Sequence, residues 1–177
     1  MDKVKSETII KISYEGDIET GNIVLNEVHE VDVMDDNLKS HLEEIRREIT
    51  YKDDELGILT FDKSISNYKT NIVWCGANSE LVFETDDEVE LIELIERYKE
   101  NFSDKHRWDD KTRKYAASKL ISLKNDFWLE DNEGEMKESE FVSLISLEAL
   151  VLYPDGSYSF WYRDGDIFFG HVIILAI

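Results

Sequence analysis

Four groups of residues in this chain are of types that could do chemistry. The stretch "DGDIFFGHVIILAI" (164–177) places one histidine, His171, in an apolar run a few residues after Asp164 and Asp166. An Asp/His set of this kind can ligate a metal or move a proton. The single cysteine, Cys75, becomes a nucleophile only if a base such as His171 lies beside it. The stretch "HRWDDKTRK" (106–114) puts Arg107, Lys111 and Lys114 on one helical face, with Arg113 and Lys119 nearby, where a phosphate could bind. Finally, Glu84, Asp86, Asp87, Glu88, Glu90, Glu93 and Glu96 follow one another with no basic residue among them. Like charges this dense repel, and a cationic surface would relieve them.

Geometry weighs against the first two. Asp164-Gly165 is a two-residue hairpin signal. It predicts that Arg163 pairs with Asp166, Trp161 lies near Gly170, and Tyr158 lies opposite His171. Gly170 in mid-strand then implies a bulge or a close helix. Five residues separate Asp166 from His171, about 17 Å along a strand, so the three do not share a metal. The expectation is a structural, half-buried His171 beside Tyr158, among Phe160, Phe169 and Ile173, with no bound metal. Cys75 is expected to be a small buried hydrophobe at a strand end. The basic stretch lacks a glycine-rich phosphate loop, and its charges pair readily with Asp109 and Asp110, so no cofactor is expected. The acidic run lacks the spacing and glycine of a calcium loop. It remains as a docking surface, with Glu84, Asp86, Asp87, Glu90 and Glu93 as its partner-binding residues.

The elements that must position these groups follow from periodicity. Residues 7–14 and 22–33 read as strands, and residues 37–49 as a helix carrying Leu38, His41 or Leu42, Ile45 and Ile49 on one face. The polar "TYKDDE" after them is the expected boundary between an N-terminal β-β-α annex (1–50) and a main domain (51–177). "LGILTFD", "YKTNIVWCG" and "SELVFET" are three short strands, the second with Tyr68, Thr70, Ile72 and Trp74 on one face. Thr85 and Glu88 form a capping box for a helix whose inner face is Leu91, Leu94, Ile95, Tyr98 and Phe102. A second helix spans 107–129 with a stripe of Ala116, Leu120, Leu123 and Phe127, broadened by Ile121 and Trp128. A short helix at 138–145 and strands at 146–153, 157–163 and 166–176 close the chain. Strands and helices cluster separately, which predicts an α+β fold: an antiparallel sheet of two three-stranded meanders under about three helices.

The segment from about residue 51 onward resembles an uncharacterised bacterial domain family. The residues that carry the likeness are "LGILTFD" (56–62), "VWCGANSELVFE" (73–84), "AASKLISLKNDFW" (116–128), "ESEFVSLISLEALVL" (138–152) and "DGSYSFWYRDGDIFFGHVII" (155–174). The resemblance implies one folding unit over roughly 125 residues and no established activity. Residues 1–50 lie outside it.

Composition bounds the function. A chain of 177 residues, 42% hydrophobic and 11% aromatic, can build a core. Its net charge of -20 disfavours direct contact with nucleic acid or an anionic membrane. One cysteine excludes an internal disulfide, and no apolar run suits a signal peptide or a membrane helix, so a cytoplasmic protein is expected. The leading expectation is a non-enzymatic interaction protein that binds a basic protein surface. By analogy of size and charge it would inhibit or neutralise a nucleic-acid-handling effector, in the manner of immunity and anti-defence proteins. The alternative is a small hydrolase, or a small-ligand-binding domain, using the aromatic sheet face around Tyr158 and His171.

Overall fold

A computed structural model describes residues 8–131 and 133–177. Glu7, the first residue of the first expected strand, lies outside them. The chain divides into two compact units, residues 1–48 and 49–177.

In the N-terminal unit, β1 (Ile10–Asp17) and β2 (Asn22–Val31) pair antiparallel, with register shifts after Lys11 and Ser13 that mark bulges. Gly16 is obligatory there: its φ is 114° and a Cβ would sit 2.0 Å from the Asn22 carbonyl oxygen. Helix α1 (Asp36–Arg46) starts where the Asp35 carboxylate accepts the N–H groups of Asn37 and Leu38, both at 3.0 Å. It stops three residues short of the expected Ile49, because Arg47 is already extended.

The second unit is α+β. β3 (Thr50–Asp53), β4 (Gly57–Asp62), β5 (Asn67–Trp74) and β6 (Ala77–Phe83) form an antiparallel meander. Helices α2 (Glu88–Asn101), α3 (Lys105–Phe127) and α4 (Glu138–Leu144) follow, then β7 (Ser146–Leu152), β8 (Tyr158–Arg163) and β9 (Val172–Ala176). The seven strands lie in sequence order. The sheet has one parallel junction, β6 beside β7, because the three helices carry the chain back to the end where β6 began. The polar stretch "TYKDDE" follows directly on the division between the two units and enters the sheet. Thr50 pairs with Thr60 and Tyr51 with Leu59, so it forms an edge strand and makes the first meander four-stranded.

The turn after β3 is held by Asp53. Its carboxylate accepts the N–H groups of Leu56 and Glu55 and lies 3.0 Å from Lys99 Nζ on α2. Burial pushes this carboxyl up, but the Leu56 N–H, the Lys99 ammonium and the Glu55 N–H together hold it below its ordinary 3.8. A depressed carboxyl contributes stability above its unfolded value and loses it as pH falls through the folded one. Wild type should therefore exceed Lys99→Met in stability by about 1 kcal/mol near neutrality, and the gap should close below about pH 4. Urea melts of both proteins at pH 7 and pH 3 check this.

All four expected inner residues of α2, and Phe102 after it, are buried. Its cap differs. Asp87 is the N-cap, accepting the Glu90 N–H at 2.9 Å. Thr85 stands outside the helix, where its hydroxyl accepts the Asp87 N–H and donates to the Glu90 carboxylate at 2.5 Å. In α3, Ala116 is buried and Leu120, Ile121 and Trp128 pack on the core, but Leu123 and Phe127 are 42% and 79% exposed. Lys124 is instead buried at 3%. Its Nζ donates at 2.8 Å to the Trp128 carbonyl and to Glu133, so the loop after the helix supplies the partners a buried cation needs.

Candidate functional site

The last hairpin departs most from expectation. Val172, not Asp166, pairs with Arg163, and Ile174 pairs with Trp161. The tight turn at Asp164-Gly165 is replaced by an eight-residue loop, 164–171. Asp164 is the cause. It is buried to 3% exposure, and its carboxylate accepts the N–H groups of Asp166 (3.1 Å), Phe168 (2.7 Å) and Gly170 (3.1 Å). An aspartate that satisfies three backbone donors competes successfully with strand pairing. Gly165 has φ 61°, and a Cβ there would meet the Leu144 carbonyl oxygen at 2.5 Å, so the loop closes tightly on the end of α4. Asp166 and Phe169 also take positive φ.

His171 is consequently exposed rather than half-buried among Phe160, Phe169 and Ile173. Its Nδ1 contacts the Phe168 carbonyl oxygen, and its ring lies edge-on to Trp128 at 5.3 Å. Gly170 lies in the loop with open space where a Cβ would be, so no helix approaches it and Trp161 does not cover it. Tyr158 sits at the other end of the hairpin, paired with Ile177 and packed on Phe102 and Trp108. Tyr158 lies opposite Ile177, six residues from His171, which separates the two by about 20 Å along the strands. The two are not brought together. Among the described residues no group of three His, Cys, Asp or Glu side chains is arranged to hold a metal ion.

Cys75 occupies a two-residue turn with Gly76 between β5 and β6, both residues at positive φ. Burial, with the Asp109 charge next in effect, pushes its thiol above the ordinary value. The turn lies at the same end of the sheet as the 164–171 loop, but three strand spacings away, roughly 14 Å. His171 is therefore out of reach as a base. Asp109 nearby accepts the Trp74 indole N–H at 3.0 Å and pairs with Arg113 at 3.0 Å, while Thr112 and Tyr162 share a hydroxyl contact of 2.5 Å. This network ties α3 to the sheet.

The rest of the basic stretch is split between partners. Lys114 pairs with Asp110 at 2.8 Å, and Lys111 and Lys119 lie over the rings of Trp108 and Tyr115.

The acidic run surrounds the start of α2. Glu84, Asp86, Glu88 and Glu93 are exposed. Asp87 and Glu90 also serve the cap, and Glu96 pairs with Lys99 at 3.0 Å. Sequence spacing showed the cluster but not this division of roles. Asp164 was missed as an organising residue, although an aspartate directly followed by glycine can accept the N–H two residues on in an Asx turn, as it does from Asp166.

Fold and site define an acidic α+β domain with one layer of helices and a seven-stranded mixed sheet. The chain belongs to the DUF2262 family, described as uncharacterised proteins conserved in bacteria, which matches residues 53–177. No curated protein and no solved structure matches the chain. Among the described residues no helix is long and apolar enough to cross a membrane.

Proposed function

We propose that this protein is a non-enzymatic, cytoplasmic interaction protein that binds a basic protein surface through the start of α2. The observation that supports it is the separation of roles among the acids. Asp87 and Glu90 build the cap, whereas Glu84, Asp86 and Glu93 are exposed and project carboxylates that the fold does not use for capping. The α2 N-terminus stabilises part of this charge through the helix dipole, and a cationic partner would neutralise the remainder. A basic effector that handles nucleic acid is the partner class this charge fits, and the protein would act on it as an inhibitor.

The test must spare the cap. Glu84→Lys, Asp86→Lys and Glu93→Lys, combined, leave Asp87 and Glu90 in place. Exposed ion pairs contribute about 0.2–1 kcal/mol each, so the triple variant should bind a captured basic partner about tenfold more weakly. Its affinity should also fall less steeply with salt than that of wild type. The comparison uses a bacterial lysate over immobilised wild type and variant at low salt, followed by titration of the retained protein. Equal retention by both would remove α2 from the interface.

A further inference from the structure

The edge strand β9 is a second candidate surface, distinct from the acidic start of α2. The hydrogen bonds at its end fix which way its backbone points. Tyr158 and Ile177 exchange both N–H···O bonds. In an antiparallel ladder such pairs alternate, so Ile177, Leu175 and Ile173 bond inward to β8. Val172, Ile174 and Ala176 therefore turn their N–H and C=O groups outward, and among the described residues no strand pairs with them.

Proteins usually blunt such an edge with charge, proline or a bulge. Residues 172–177, "VIILAI", have no charged side chain and no proline, and Ile174 is 52% exposed. A cleft flanks each end of the strand on the helical side. One, of about 490 Å³, lies between Lys111, Thr112 and Tyr115 of α3 and Leu175–Ile177. The other, of about 280 Å³, lies between Leu120, Leu123, Trp128 and residues 172–174. This also accounts for the exposure of Leu123, which the helix does not bury in its own core.

Charge decides the occupant. α3 carries seven lysines and arginines against three aspartates, in a chain whose net charge is -20. Lys111 lines the first cleft and Lys119 lies one turn beyond Tyr115. A second copy would bring α3 against α3 and set these cations against one another. We infer that β9 accepts an extended, acidic segment of a partner protein as an eighth strand, its alternate apolar side chains entering the two clefts and its carboxylates meeting Lys111 and Lys119. Backbone pairing supplies affinity and the clefts supply selectivity.

The probe is a fluorescein-labelled octapeptide of alternating valine and glutamate, with an alternating valine and lysine octapeptide as control, read by anisotropy at low salt. The acidic peptide should bind about tenfold more tightly than the basic one. Ile174→Pro removes an outward N–H without touching the β8 ladder, a position where proline is tolerated. It should weaken binding of the acidic peptide about tenfold and leave the melting curve nearly unchanged. Lys111→Glu with Lys119→Glu should reverse the peptide preference. Hydrogen exchange needs no variant: peptide should slow the amides of Val172, Ile174 and Ala176, while those of Ile173 and Leu175 are slow already. Equal binding of both peptides, or unchanged exchange at the three outward amides, overturns the inference. A concentration-dependent dimer abolished by Ile174→Pro overturns it in favour of self-pairing.

Discussion

Replacing Phe102 by alanine will lower the stability of the second unit by about 3–5 kcal/mol, the range for emptying a buried aromatic site. Phe102 caps α2, is 2% exposed, and stands at the centre of a ring cluster. Its ring lies 5.1 Å from Tyr158, 5.3 Å from Trp108, 5.8 Å from Tyr98, 5.9 Å from Phe160 and 6.1 Å from Trp74. These five come from α2, α3, β5 and β8, so the cavity would open where helices and sheet meet and could not collapse without moving one of them. Against a total of about 5–15 kcal/mol for a domain, this is a large fraction. Equilibrium urea denaturation followed by tryptophan fluorescence measures it. A loss below about 1 kcal/mol would show that the helices can close over the gap.

Asp164→Ala should cost about 2–4 kcal/mol, through a different mechanism. The substitution leaves the Phe168 N–H buried without an acceptor and frees the Asp166 and Gly170 donors. It also removes the reason for the long loop. Asp164→Asn retains an acceptor but not the charge, and should lose less. In Asp164→Ala the backbone amides of 166, 168 and 170 should exchange with solvent much faster than in wild type, because their opening no longer requires breaking a bond to a carboxylate. Protection retained at Phe168 would mean that another group holds the loop, and the assignment of Asp164 as its organiser would fall.

The helical signals in this sequence were strong because they were local. Leu91, Leu94, Ile95 and Tyr98 recur at helical spacing, and each is buried as that spacing requires. The same holds for β5, where alternation alone put Tyr68, Ile72 and Trp74 on the core face. The α+β class followed from the clustering of strands and helices. Charge was equally legible: Glu84, Asp86, Asp87, Glu88, Glu93 and Glu96 are exposed, as a run without cations implies, and only Glu90 is half-buried against Thr85.

What tertiary structure decided were the places where one side chain had to choose between partners distant in sequence. Thr50–Asp53 looks polar, but Tyr51 opposite Leu59 draws it onto the sheet. Lys124 looks like a surface residue, but the Trp128 carbonyl and Glu133 let it enter the interior while Leu123 turns outward. Asp164-Gly165 carries the local signature of a tight hairpin, yet the buried Asp164 carboxylate gathers three N–H groups and shifts the pairing of β9 from Asp166 to Val172. That shift moves His171 from the expected core to the surface. A two-residue turn preference is worth less than three charge-assisted hydrogen bonds in a buried site, and only the folded chain brings those donors to the carboxylate.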